Sequence, residues 1–265
     1  MNTFKFTILT LLFATTVFAQ DFEVSPVLMN FNAEPGEIQV KQINLINHSS
    51  TPQKYKLKLQ DYELDKSGQK KPLPAGQSKR TLADWMTINP SFIELSPNQA
   101  TTIDVMMTVP KDGFSTKWGM ILVELGREQT ISQVDKNVAT GVLISPRIVV
   151  LVKQSPKSNN NYKAAISDLK EISIPTDSTK KFQALVTNIG DNVIDAKVYL
   201  SLSNLQTGEE QKFDTVKLTV YPDSNRDVTL PLTANILPGQ YVLAAILDYG
   251  HRQPLAGTQL MLEIK

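Results

Sequence analysis

Two histidines, His48 and His251, are the residues of this sequence best suited to general acid–base or metal work, and their setting argues against both. His48 follows a β-type run in Asn47-His48-Ser49, and His251 sits in Tyr249-Gly250-His251-Arg252. Both segments read as turns in different halves of the chain, so a shared site is not expected. There is no Cys, which removes thiol chemistry and every disulfide or zinc-thiolate framework. Asp61, Glu63 and Asp65 alternate on one strand face, and carboxylate oxygens do bind hard cations. Lys66 is adjacent, however, and no Gly-containing ligand loop accompanies them, so a solvated strand edge is expected. Phosphate-cradling Gly loops, nucleophile elbows and zinc spacings are absent from the sequence. The expectation is no enzyme, no metal, no cofactor and no small-molecule substrate. Asn47-His48-Ser49 matches a glycosylation tripeptide and Asp214-Thr215-Val216 another, both at chance level.

A different kind of chemistry is offered by Val142 to Lys153. One period-two row holds Val142, Ile144, Ile148 and Val150; the other holds Leu143, Val149 and Leu151. A strand that is apolar on both faces suits a central strand buried twice over. It also suits a strand that covers its own core and a partner's groove together. Arg147 and Lys153 supply cations on the same run. The candidate partner-binding residues are therefore Val142, Ile144, Arg147, Ile148, Val150 and Lys153.

The elements that must position them are strands. Tyr55-Lys56-Leu57-Lys58-Leu59-Gln60 alternates strictly, and Val40 to Ile46 is β-branched and mostly alternating. Further runs lie at Ile103–Val109, Met120–Leu125, Phe182–Val186, Val198–Leu202, Val216–Val220, Val228–Leu232, Tyr241–Leu247 and Gln259–Ile264. Pro35-Gly36, Ser67-Gly68, Ser96-Pro97-Asn98, Pro222-Asp223-Ser224-Asn225 and Pro238-Gly239 punctuate them. Short strands with regular turns predict an all-β chain of two immunoglobulin-like β-sandwich domains in tandem. Gln129 to Ala139 reads as a loop. Tyr62 to Arg80, rich in Lys, Pro and Gly, reads as a long irregular, solvated connection.

Residues 1–20 read as a signal peptide: Lys5, then an apolar run from Ile8 to Ala14, then Val17-Phe18-Ala19 before Gln20. The run is shorter than the about 20 residues that span a bilayer. The polar stretch 155–161 reads as a linker between domains at 21–154 and 162–265. The formal net charge is +1, and residues 1–20 contain one Lys and no acid, so the remainder is balanced. Neutrality gives no electrostatic ground for nucleic acid or an anionic membrane as a partner, and no stretch beyond residues 1–20 reaches transmembrane length, so no membrane insertion is expected.

Several segments, in order, carry a family likeness. Phe22 to Phe31 looks like a first strand, and Ile43 to Ser49 ends in Asn and small polar residues. Trp85 to Gln99 contains Pro90, Leu95 and Pro97, Trp118 to Leu125 reads as a penultimate strand, and Ile144 to Lys153 as a last one. Together residues 22–154 resemble the first domain of the PapD-like periplasmic pilus chaperones, and the second half resembles fibronectin-type Ig-like modules. The resemblance implies a protein that lends a strand to an incomplete partner sandwich. Members of that family hold a subunit's C-terminal carboxylate with basic residues on the first and last strands. Here Val24 to Phe31 has no Arg or Lys, leaving Arg147 and Lys153. The expected function is an exported chaperone-like adaptor for another secreted or envelope protein, in the periplasm or at the surface of a Gram-negative-type bacterium. The alternative is a structural Ig-like subunit of an envelope, secretion or adhesin assembly.

Overall fold

The computed structural model describes residues 21–126, 146–174, 176–233 and 236–264. The signal-peptide reading of residues 1–20, the loop at 129–139 and the candidates Val142 and Ile144 lie outside the described residues. Everything described is strand, turn or loop.

The first sandwich opposes two sheets. One holds β1 (Phe22–Ser25), β3 (Ile38–Asn47), β8 (Ala100–Thr108) and β6 (Met86–Asn89), in the order β1-β3-β8-β6. The other holds β2 (Leu28–Phe31), β10 (Arg147–Gln154), β9 (Lys117–Leu125), β4 (Gln53–Leu64) and β5 (Lys70–Pro74), with β7 (Phe92–Leu95) beside the start of β4. Alternation sets what each strand buries. Ile43 and Leu45 of β3, Ile103, Val105 and Met107 of β8, Tyr55 and Leu57 of β4, and Ile121 and Val123 of β9 converge on one core. Each such side chain contributes roughly 1.5–3 kcal/mol of apolar burial. The first segment is not one strand. It pairs with β3 as β1, changes sheet at the cis peptide Ser25–Pro26, and runs on parallel to β10 as β2.

The second sandwich opposes β11 (Ala164–Glu171), β12 (Lys180–Asn188) and β16 (Asn225–Leu232) to a larger sheet. That sheet orders β14 (Glu210–Lys212), β13 (Ile194–Asn204), β17 (Gly239–Asp248) and β18 (Ala256–Ile264), with β15 (Val216–Val220) on the start of β13. Its core gathers Phe182, Val186, Val198, Leu200, Val228, Leu230, Leu243 and Leu247.

Both sandwiches close a corner with the same device. Asn47, fully buried at the end of β3, donates its Nδ2 to the carbonyls of Thr51, Leu95 and Ser96 (3.0–3.1 Å), while its Oδ1 accepts from Ser49 N. Asn188, at the end of β12, donates to Asn192 O (2.7 Å) and Val220 O (2.9 Å) and accepts from Gly190 N. A glycosylation reading of Asn47 therefore fails in the folded chain, because its amide nitrogen is inaccessible and engaged. Asn47→Ala strands three loop carbonyls and one N–H, and an unmet buried group costs about 1–3 kcal/mol. The expected result is a loss of roughly 2–4 kcal/mol in urea unfolding, with Asn188→Ala in the same range. A change under about 0.5 kcal/mol at both sites would mean that water replaces the amide freely.

Two segments differ from their sequence reading. Tyr62 to Arg80 is not an irregular connection: β4 runs on to Leu64 and returns through a tight turn as β5. The turn is stapled by Asp65, whose Oδ1 accepts from Ser67 N, Ser67 Oγ and Gln69 N. These hydrogen bonds, led by that of the Ser67 hydroxyl, hold the Asp65 carboxyl below its ordinary pKa. Asp61 is not on a solvated edge either. It is only 2% exposed, and it accepts from Ser78 N (2.9 Å) and Thr81 Oγ1 (2.8 Å), anchoring the chain that leaves β5. Asp61 and Asp65, the same residue type four positions apart, thus meet different fates, which alternation alone does not separate.

Candidate functional site

The edge of the second sheet is formed by two strands in succession. β10 bonds to β9 along its whole length, Arg147 opposite Glu124 through Gln154 opposite Lys117. On its other side β2 pairs only from Leu151 to Gln154. The backbone edge of Arg147 to Val150 has no neighbouring strand among the described residues. An unpaired row of N–H and C=O groups on a sheet edge is a template for another strand.

The side chains there are arranged in two rows. Val150 is fully buried in the core and Ile148 packs against it from a half-buried position. Arg147 and Val149 point the other way, Val149 being 38% exposed. Val27 and Leu28, 49% and 63% exposed, stand where β2 begins and form an apolar lip at the end of the open edge. Leu151 N is already bonded to Val27 O (2.9 Å) at that point. Of the sequence candidates, Arg147, Ile148 and Val150 fall on the open stretch. Lys153 lies beyond it, opposite Asn30 of β2, on the closed half.

Below the open edge, part of the outer face of the same sheet is covered, with Tyr221 reaching it from the second sandwich. β9 carries Ile121 and Val123 inward but Trp118, Met120 and Leu122 outward, where they meet Tyr62, Leu64, Leu151 and Tyr221. Trp118 stacks edge-on against Tyr221 at 4.9 Å between ring centres, and its Nε1 donates to Tyr62 O (3.1 Å). The Tyr62 and Tyr221 hydroxyls lie 3.1 Å apart. Burial, with Tyr221 beside it, pushes the Tyr62 hydroxyl's pKa far up, so it stays neutral.

A polar clamp flanks this apolar contact. Arg80 donates to Asp191 Oδ1 through Nη1, to Asp223 Oδ2 through Nε and Nη2 (3.1 and 2.6 Å), and to Thr116 O (3.2 Å). Burial works against its charge, but the hydrogen bonds to Asp223 and Asp191 outweigh it and raise its pKa. Asp191 Oδ2 also accepts from Thr116 N and Asn159 Nδ2. Neighbouring Lys117 is lowered from its usual value by burial and by the Arg80 charge, and its ammonium sits 4.8 Å over the Trp85 ring.

On the far side, the β4–β5 turn reaches the second sandwich. Asp227 N donates to Lys66 O (3.1 Å), and Gly68, at φ +82°, lies so close to the Arg226 guanidinium that a Cβ there would displace it. The stretch 155–161 also takes part: Ser158 N and Oγ donate to Glu34, and Asn192 bonds to Asn159.

The two histidines lie apart, in different sandwiches. His48 Nε2 lies 3.1 Å from Glu23 Oε2 at the surface, and His251 stacks on Tyr162. Among the described residues no three His, Asp or Glu side chains gather as a metal site. Sequence reasoning missed the Arg80 clamp and the Val27–Leu28 lip. A Pro-bounded apolar pair at Pro26-Val27-Leu28 is the only local signal of the latter.

No protein-family model matches the chain, and no curated protein matches its sequence. Solved structures do match in fold. A chain of the chaperone–tip adhesin complex of CFA/I fimbriae superposes with a TM-score of 0.51 at 13% identity, over 91% of this chain and 98% of that one. The class 5 fimbriae chaperone CfaA gives 0.50 at 11% identity, over 92% and 99%. The likeness spans both sandwiches, so the chain shares the two-domain β-sandwich fold of these fimbrial chaperone structures.

Proposed function

We propose that this chain, built on the fimbrial-chaperone fold, is an exported, non-enzymatic chaperone-like adaptor that binds another secreted or envelope protein by strand addition. The observation that carries this reading is the edge of β10 at Arg147 to Val150 that no described strand pairs, with Ile148 and Val150 facing the core, Arg147 and Val149 facing out, and Val27 and Leu28 at its border. The main-chain groups of that edge supply affinity, and the alternating side chains supply selectivity. In this reading residues 21–154 form the binding domain, 162–265 the second domain and 155–161 the link. The signal-like N-terminus supports a place in the periplasm or at the cell surface. The interface of Trp118, Tyr221 and Arg80 then holds the two sandwiches at one angle, so the partner meets a fixed surface.

The test is Val149→Lys in a tagged chain used to capture partners from envelope fractions. Val149 is exposed, so the melting profile should match wild type, while a Lys placed on an edge opposes strand pairing. Capture should fall at least 10-fold, a loss of about 1.4 kcal/mol. Undiminished capture by a folded variant would move the binding surface elsewhere. A captured partner that never exchanges would favour the structural-subunit alternative over a chaperone.

A further inference from the structure

A row of charges crosses the open face of the second sheet and stops at Arg147. Lys56 of β4 lies opposite Glu124 of β9, and Glu124 lies opposite Arg147 of β10. The sign alternates from strand to strand, as cross-strand neighbours prefer. Glu124, however, is taken by Lys58, whose Nζ lies 2.7 Å from Oε2. The Arg147 side chain is exposed, and its guanidinium makes no hydrogen bond or ion pair with any described residue. Among the described residues the row therefore ends on a cation without a partner, and the next position along it lies across the edge that no described strand pairs.

The adjacent row is different. Lys58, Leu122 and Val149 lie side by side, so the position beyond Val149 adjoins apolar surface. Ile148 and Val150 face the core, so the positions beyond them border the sandwich interior. From Leu151 onward β2 occupies the edge. An incoming strand thus has four positions to fill, and each is specified by its neighbour.

We infer that the partner strand carries an acidic side chain opposite Arg147 and apolar side chains opposite Ile148, Val149 and Val150. This rests on strand addition at β10 and specifies its partner. A basic residue at the first position would face a like charge at the spacing of about 5 Å where direct cross-strand pairs interact. An acid at any of the other three would adjoin apolar surface with no cation beside it.

The probes are labelled six-residue peptides, Thr-Glu-Ile-Val-Val-Thr and its reverse, which cover both strand directions. Each is also made with Gln or Lys in place of Glu. Anisotropy titration against the purified chain should rank Glu over Gln over Lys, with roughly 5-fold or more between the extremes. Arg147→Glu, an exposed change expected to leave the melting profile unaltered, should reverse the ranking. Val149→Lys should weaken all peptides together. If the peptides bind alike whatever their charge, or if Arg147→Glu leaves the ranking unchanged, while Val149→Lys still weakens them, the acidic position is wrong and strand addition stands. If no peptide binds in either direction, or binding ignores Val149→Lys, both readings fall.

Discussion

Replacing Arg80 with Met is expected to destabilise the chain by about 2–3 kcal/mol and to loosen the two sandwiches from each other. The full penalty for breaking a buried ion pair is about 3–5 kcal/mol, because the surviving charge is left without its partner. Arg80 is mostly covered rather than sealed, so a lower figure applies. What remains is Asp191, four-fifths covered, keeping its bonds from Thr116 N and Asn159 but facing no cation. Asp223 can turn to water, since its side chain is 71% exposed. The two acids should therefore differ: Asp191→Asn should cost about 1–2 kcal/mol, and Asp223→Asn under about 1 kcal/mol, as exposed pairs do. Urea unfolding followed through tryptophan fluorescence and circular dichroism measures each. Equal effects at Asp191 and Asp223 would show that solvent screens the whole clamp.

Trp118→Ala is the larger perturbation, at about 3–5 kcal/mol for a buried aromatic. It empties the seat between Met120, Leu122 and Tyr221 and leaves Tyr62 O without its donor. Because this side chain points out of the first core and into the contact between sandwiches, its loss should fall on their coupling. Calorimetry should show one unfolding transition for the wild-type chain and two for the variant. Trp118→Phe, which keeps the ring packing but removes the N–H, should cost about 1–2 kcal/mol and keep a single transition. A variant that melts cooperatively with a drop below about 1 kcal/mol would mean that the sandwiches are held together by other contacts.

These residues also mark where the sequence stops being informative. Tyr55 to Gln60 alternates because one face meets the core and the other water, and the strand follows directly from that pattern. The strand at Trp118 to Leu125 follows from its pattern, and as β9 it is apolar on both faces. The reason is invisible locally, since its outer face is covered by Tyr221 from the other sandwich. Arg80 and its partners are 111 and 143 positions apart, a separation that no local period reports. β11 escaped notice because its alternation breaks at an irregularity between Ser167 and Lys170, where Asp168 takes a φ of 55°. At the candidate site, the apolar double row of Ile148 to Leu151 was legible. Which half of it stays open was not, since that depends on where β2 lands after the chain changes sheet.

That landing has a consequence for the protein's own solubility. A sheet edge left bare along its full length invites copies of the same chain to stack on it without limit, the first step toward fibrils. β2 seals the last four residues of β10 with a parallel strand from the same molecule, so what stays sticky among the described residues is only a four-residue notch. Each strand of a growing stack would have to end at the Val27–Leu28 lip, and so short a register offers little to the copy that follows. On the proposed strand addition, the notch is long enough to catch one segment and too short to template a series.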